Sequence, residues 1–262
     1  MSLPRHIFIT GASSGLGAGL ACSYAAPGVH LSLIGRDQTR LDAVAAQARA
    51  RGASADAIVA DVADPAAMRE VIAAQDRDHP IDLLIANAGI TGGTAVDGSL
   101  ETLEAARAVI DINLGGVLNS VIPLLPLMQA RGRGHVALIG SVAGLRGLAD
   151  SPAYCASKAG VRLYGESLRG ALAGSGIRVS VVQPGFFDSP MSAKFKGAQP
   201  LRLSLDQAVR GIRRGLDRKQ ARITLPCTLG LLLRLADLIP PWLGDRIMRR
   251  VRFHIDPTAK PR

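Results

Sequence analysis

Aromatic side chains are scarce in this chain: one Trp, three Tyr and five Phe make up 3% of its 262 residues. Single-stranded nucleic acid is usually held by stacking bases on aromatic platforms. Their scarcity, and the lack of a recognised binding motif, argue against nucleic acid as a partner despite a net charge of +10. Cysteine is scarce too. Cys22, Cys155 and Cys227 show no paired spacing and no adjacent ligand histidines, which argues against a disulfide framework or a metal site and predicts buried thiols in a reducing compartment. Long apolar runs are missing: Leu229 to Ile239 is far too short to cross a bilayer as a helix. The opening MSLPRHIFITG is strand-like by Ile7, leaving no room for the apolar region of a signal peptide, so a cytoplasmic location is expected. Acidic residues thin out only at the C-terminal end. Residues 210–262 hold 13 basic and 4 acidic groups, against 18 and 17 in residues 1–209.

The chain does have apolar residues in plenty, at 48%, enough for one large core and a single domain over 1–262. IFIT, VHLSLIG, DAIVADV, IDLLIANAG, HVALIGS and IRVSVVQPG read as strands, separated by helix-period segments such as 37–51 and 101–131. This alternation predicts an α/β fold, a doubly wound parallel sheet covered by helices on both faces. Asp64 followed by Pro65 marks a helix start, and Asp37 is placed to cap the helix before it.

The first strand runs into Thr10-Gly11-Ala12-Ser13-Ser14-Gly15-Leu16-Gly17 and then a helical pattern. Such a turn aims unpaired backbone N–H groups at a pyrophosphate, and glycine lets the ligand approach without a Cβ. The spacing is G-x-x-x-G-x-G. Together with Asn87-Ala88-Gly89, Asp61-Val62, Asn113, Ser141, Tyr154 with Lys158, and Pro184-Gly185, it resembles the classical short-chain dehydrogenase/reductase (SDR) family over about residues 5 to 192. The resemblance implies a Rossmann-type three-layer αβα fold and a nicotinamide cofactor. That cofactor would be held by Gly11, Ser13, Ser14, Gly15, Leu16, Gly17, Arg36, Asp61, Val62, Asn87, Ala88, Gly89, Tyr154, Lys158, Pro184, Gly185, Phe187 and Ser189. Asp61 and the Val62 backbone would hold the adenine, and Ser189 stands where the family usually has threonine.

The second strand ends LSLIGRD, with Gly35 where NAD-preferring members of the family carry Asp, and with Arg36 next to it. A planar guanidinium suits a 2′-phosphate, so NADP(H) is favoured over NAD(H). Tyr154 and Lys158 lie four residues apart, on one face of a helix. Alone this pair would be a tyrosine beside a solvated lysine. Ser141 at the end of a strand gives it a context, because doubly wound sheets place their ligands at strand ends. Tyr154 is then the acid, Lys158 the cation that lowers its pKa, and Ser141 the group that orients the substrate oxygen. Asn113 is either a buried structural amide or, as the resemblance implies, a link in a proton relay through water and Lys158. Cys155 reads as a packing thiol rather than a redox switch.

The expected function is NADP(H)-dependent interconversion of a carbonyl and a secondary alcohol on an apolar small molecule. The alternatives are a non-catalytic NADP(H)-binding regulator and a membrane-peripheral reductase of lipid- or steroid-type ketones. Residues 186–226 read as substrate lid and final strand region, and 227–262 as a basic amphipathic helical extension. The latter carries Leu243, Ile247 and Val251 on one face, with Arg246, Arg249 and Arg250 largely off it. That extension replaces the family's glycine-aspartate-rich tail, so assembly as a homodimer or homotetramer is implied by the resemblance without its usual sequence support. Residues 227–252 either cap the cleft, make a dimer contact, or attach peripherally to anionic membrane at its inner face.

Overall fold

The computed structural model describes residues 4–94, 98–197, 199–236, 239–240, 242–243, 246 and 253–255, with 194–197 and 253–255 described by backbone alone. Six strands alternate with helices along the chain: β1 (His6–Thr10), β2 (His30–Gly35), β3 (Ser54–Val59), β4 (Leu83–Ala86), β5 (Gly134–Ile139) and β6 (Ile177–Pro184). A three-residue strand, β7 (Phe195–Gly197), precedes β8 (Arg222–Leu225), and β9 (Phe253–Ile255) lies near the C-terminus. The main sheet has seven strands in the order β3-β2-β1-β4-β5-β6-β8, all parallel. The order reverses direction at β1, and the crevice outside the carboxyl ends of β1 and β4 is where such sheets hold ligands.

Strand periodicity sends alternate side chains to opposite layers. Ile7, Ile9, Leu31 and Leu33 face a layer built from α1 (Gly15–Tyr24), α2 (Gln38–Arg49) and α8 (Leu205–Asp217). Phe8 and Ile34 face the other layer. That layer is made by α3 (Pro65–Asp78), the segment α4 (Leu103–Ile110), α5 (Gly116–Val121) and α6 (Leu125–Ala130), and the long α7 (Pro152–Ala171). Phe8, Leu20, Leu33 and Met68 are among the side chains with no exposure, each worth roughly 1.5–3 kcal/mol of transfer free energy. The caps are those the sequence predicts: Asp64 accepts from Ala66 N and Ala67 N ahead of Pro65, and Asp37 accepts from Arg40 N. By length and composition, Leu103–Ala130 is the one helical stretch among the described residues that could cross a membrane. Val109, Asn113, Val117 and Val121 from it are buried inside the domain.

Two features differ from the sequence expectation. The third strand ends at Val59, so Asp61 and Val62 lie in the loop beyond it, where their groups face the crevice. The C-terminal segment is not wholly helical. α9 (Cys227–Ala236) is a helix, but β9 pairs antiparallel with β7, returning the chain to the segment read as the lid. Phe253 and Ile255, an aromatic and a β-branched residue on either side of His254, are types that favour a strand. Ile247, Arg249, Arg250 and Val251 of the expected amphipathic helix lie outside the described residues.

Candidate active site

The glycine turn and the start of α1 form one wall of a cleft of about 460 Å³. Gly11 has φ +65°, and a Cβ on it would stand 2.8 Å from Ala88 Cα, so the left-handed turn and the close approach of the Asn87-Ala88-Gly89 strand end both require glycine. Thr10 ties the two segments together: its Oγ1 accepts from Asn87 N and Ala88 N, each at 3.0 Å, while Asn87 Nδ2 donates to the carbonyls of Thr10 and Gly11. Gly17 does not reach the cleft wall. A Cβ there would run into the Gly11 carbonyl, so its part is to let α1 pack onto the turn. Ser14 makes no side-chain cap and the first turn of α1 carries no acidic residue. The first N–H groups of the helix are therefore available to an anion, reinforced by the helix dipole.

At the β2 end, Gly35, Arg36, Asp37 and Arg40 line the same cleft. Asp37 is committed twice, as the α2 cap and to Arg40 Nε at 3.0 Å. Arg36 is largely exposed, and its guanidinium approaches Asp61 at 3.8 Å, a surface contact worth little in itself. Asp61 also accepts from Ala63 N at 2.9 Å, and Asn119 holds the Val62 carbonyl at 2.9 Å, which fixes the loop across the cleft. Arg40 was not singled out from the sequence; its place on the first turn of α2 brings it to the cleft.

Tyr154 and Lys158 lie on the opposite wall, one turn apart on α7. Ser141, just past the end of β5, lies beside the Tyr154 phenol; its Oγ accepts from Ala143 N at 3.1 Å and donates over a long 3.4 Å to the Pro184 carbonyl. Lys158 is buried, with Nζ donating to the Ile139 carbonyl at 3.0 Å and 5.8 Å from the Tyr154 ring centre. Burial pushes the phenol up to about 12, while the neighbouring Ser141 hydroxyl pulls the other way. Burial also brings the Lys158 ammonium down to about 8. The expected lowering of Tyr154 by Lys158 is thus not what dominates here. Both groups are desolvated together, and the lysine is directed at a backbone carbonyl.

Asn113 has no exposed surface and its amide is well used: Oδ1 accepts from Ile90 N at 2.8 Å, and Nδ2 donates to Ile90 O and Ser157 Oγ. It sits in a π-helical turn, Asp111–Gly115, closed by Gly116 N donating to Asp111 O. Such single-turn widenings recur at functional sites. A Cβ on Gly89 would stand 2.9 Å from Asn113 Oδ1 and 3.5 Å from Lys158 Nζ, so the bare backbone at 89 keeps the space between those two groups open.

The segment after β6 closes the cleft with Pro184, Phe187, Ser189, Pro190 and Met191. Gly185 does not contribute to this wall. Its N–H donates to Leu225 O at 2.6 Å, and the missing Cβ makes room for Leu229 of α9. Ser189 and Ser192 hydrogen-bond reciprocally at 2.9 and 3.0 Å, so Ser189 Oγ is the acceptor that starts the following 3₁₀ turn while its O–H can still donate. Burial raises the Cys155 thiol, whose sulfur accepts from Leu148 N, as a packing thiol would. Glu101 carries no signature in the sequence. Its Oε1 accepts from Ala153 N at 2.7 Å, supplying the first turn of α7 with the partner that Ser151 does not. Among the described residues, no cluster of His, Cys, Asp and Glu could hold a metal ion.

A glycine turn at the start of α1 on one wall and Tyr154 with buried Lys158 on the other, at the switch point of a doubly wound sheet, are the layout of a nicotinamide-dependent oxidoreductase. The sequence matches the family model for short chain dehydrogenases over residues 5–200. It is 37% identical to an uncharacterized oxidoreductase of Myxococcus xanthus over 249 residues, covering 95% of this chain and 98% of that protein. A short-chain dehydrogenase from Sphingobium yanoikuyae, solved in complex with NADPH, superposes with a TM-score of 0.78 at 29% identity, over 95% of this chain and 97% of that one. The bulky-bulky ketone specific alcohol dehydrogenase from Comamonas testosteroni gives a TM-score of 0.77 at 26% identity, over 96% of each chain. This chain belongs to the short-chain dehydrogenase family and is an oxidoreductase of that family.

Proposed function

We infer that the protein is an NADP(H)-dependent reductase that interconverts an apolar ketone and its secondary alcohol. The observation that carries this reading is Tyr154 with buried Lys158 one turn away on α7, beside Ser141 and facing the glycine turn across one cleft. Gly11, Ser13, Ser14, Gly15 and Leu16 would hold the pyrophosphate of a dinucleotide, and Tyr154 with Lys158 would take its nicotinamide ribose. When bound, the reduced cofactor supplies a hydride to the carbonyl carbon. The chain's own part is to place the ketone and give it a proton. Ser141 holds the carbonyl oxygen, and Tyr154, still protonated at neutral pH because its pKa lies at about 12, donates its proton as that oxygen gains charge. Lys158, cationic below about pH 8, stabilises the phenolate left behind. Asn113 Oδ1 keeps a second lone pair toward the gap beside Gly89, which supports a relay through one water to Lys158.

Preference for NADP(H) is supported by what faces the adenosine ribose: two arginines, 36 and 40, and an Asp37 already committed to the helix cap. An apolar substrate is supported by Ile90, Ile112, Phe187 and Met191 in the cleft and by the likeness to the Comamonas testosteroni alcohol dehydrogenase, which is specific for bulky-bulky ketones. The same reading places the enzyme in the cytoplasm, where its three free thiols would persist, and has it self-associate. Exposed Ile122 and Leu163 on the α7 side of the sheet support that association. The test is the rate of NADPH and NADH oxidation against a panel of lipophilic ketones, aldehydes, steroids and acyl thioesters. NADPH with bulky ketones is expected to be fastest; a preference for NADH overturns the Arg36 and Arg40 argument, and turnover of none of the panel overturns the reading itself.

A further inference from the structure

The helix α9, CTLGLLLRLA, is apolar on both of its faces. Inward, Leu229 fills the space above Gly185, and Gly230 packs on Thr224. Outward, Leu231 and Leu232 are each 60% exposed and Leu235 is 50% exposed. Leu235 lies four residues after Leu231 and three after Leu232, so it borders both and the three form a single patch. The one charge on the helix, Arg234, is turned away from it: Nη2 donates to Gln183 Oε1 at 3.1 Å, with Glu166, Arg162 and Arg222 nearby. Trp242, 71% exposed, and Leu243 follow soon after the helix. A helix that is hydrophobic all round is normally covered on every side, and this one has leucines facing water.

We propose that this face docks on an anionic lipid bilayer, with Leu231, Leu232, Leu235 and Trp242 at the level of the headgroups and acyl boundary. Charge decides between a bilayer and a second copy of the chain. Around α9 stand Arg146, Arg162, Arg222 and Arg234 with Glu166 among them, and Arg246 follows Trp242 and Leu243; two copies meeting through this face would bring two such positive clusters together. An anionic surface attracts the same charge. Tryptophan is the side chain most at home at the membrane–water boundary, and leucines beside cations are the composition of helices that lie in that plane.

The docking face is tied to the catalytic end of the sheet. Leu229 rests on Gly185, next to cleft-lining Pro184, and Arg146 Nη1 donates to Ala236 O at 3.0 Å, joining the end of α9 to the loop that follows Ser141. A docked molecule therefore holds its cleft end toward the lipid, and a ketone dissolved in the bilayer reaches the cleft without a long passage through water. That corollary rests on the apolar-ketone reading; the docking does not.

The experiment is co-sedimentation of the full chain, without cofactor or substrate, with vesicles of pure phosphatidylcholine and of an equal mixture of phosphatidylcholine and phosphatidylserine. The chain is expected to pellet with the mixed vesicles and to be released by high salt, because exposed charges are screened. The variant L231S/L232S/L235S changes only exposed side chains and is expected to partition on the order of a hundredfold more weakly, with an unchanged thermal unfolding curve. No pelleting with the mixed vesicles overturns the proposal, as does partitioning that the three serines leave unchanged. So does a sedimentation-velocity dimer that the serines convert to monomer, which would assign the face to a second copy. Failure here leaves the ketone assays standing, and failure of those assays leaves the docking standing.

Discussion

Replacing Glu101 by alanine should impair catalysis far more than folding. The carboxylate accepts from Ala153 N at 2.7 Å, one residue before Tyr154, across 52 positions of sequence, and Ser151 provides no side-chain cap of its own. Loss of a helix N-cap acceptor costs roughly 0.5–2 kcal/mol. In a domain of this size that corresponds to a fall in Tm of about 2–4 °C per kcal/mol. The larger effect is on placement: the first turn of α7 carries the phenol that must meet the substrate oxygen, and a displacement near 1 Å can cost on the order of a hundredfold in rate. Steady-state NADPH oxidation with a saturating ketone should therefore show kcat down by roughly ten- to a hundredfold, with KM for NADPH unchanged. Glu101→Gln keeps a carbonyl oxygen in the same position and should recover most of kcat. If the alanine variant lowers Tm but leaves kcat at the wild-type level, or if glutamine is as poor as alanine, Glu101 does not position Tyr154.

Two pH effects follow from burial. Reduction needs Tyr154 protonated, which holds up to about 12, and Lys158 charged, which holds below about 8, so kcat/KM for the ketone should be level through neutrality and fall as pH rises through about 8. A profile that instead rises with pH over that range would contradict the assignment of Tyr154 as the acid. Stability has the opposite sense. His6 and His135 are buried and held neutral, each lowered to about 4 from an ordinary value near 6.5, so the native state binds fewer protons than the unfolded chain. Unfolding free energy is expected to be at its full value above about pH 6.5 and to drop as pH falls from there toward 4, with denaturant titrations at stepped pH as the measurement. Constant stability across that window would mean that the two imidazoles are not buried neutral.

Most of the fold was legible because buried parallel strands must be apolar nearly throughout, so β1, β2, β4, β5 and β6 appear in the sequence as runs such as IFIT and HVALI. β3 was harder. Its exposed and half-buried positions blur the run, and the aspartate-containing loop after it continues the same apolar texture. Ser141, Tyr154 and Lys158 were legible from spacing, since one strand end and one helix face bring them together. The π-helical turn at Asn113 was not, because it differs from an α-helical turn by one residue of hydrogen-bond register and has no residue signature. Gly185 and Glu101 were misread or missed for a common reason. What each touches, Leu229 on α9 and Ala153 on α7, is set by tertiary packing across tens of residues.

Proton donation by Tyr154 is tested most directly by Tyr154→Phe. The substitution removes one hydroxyl from a ring that also packs in the cleft, so NADPH binding, followed by quenching of intrinsic fluorescence or by calorimetry, should stay within a fewfold of wild type. Ketone-dependent NADPH oxidation should fall by about 10²–10⁴-fold, the usual contribution of a positioned acid. NADPH binding retained with that loss of turnover is the predicted result; turnover near the wild-type rate would remove Tyr154 from the mechanism.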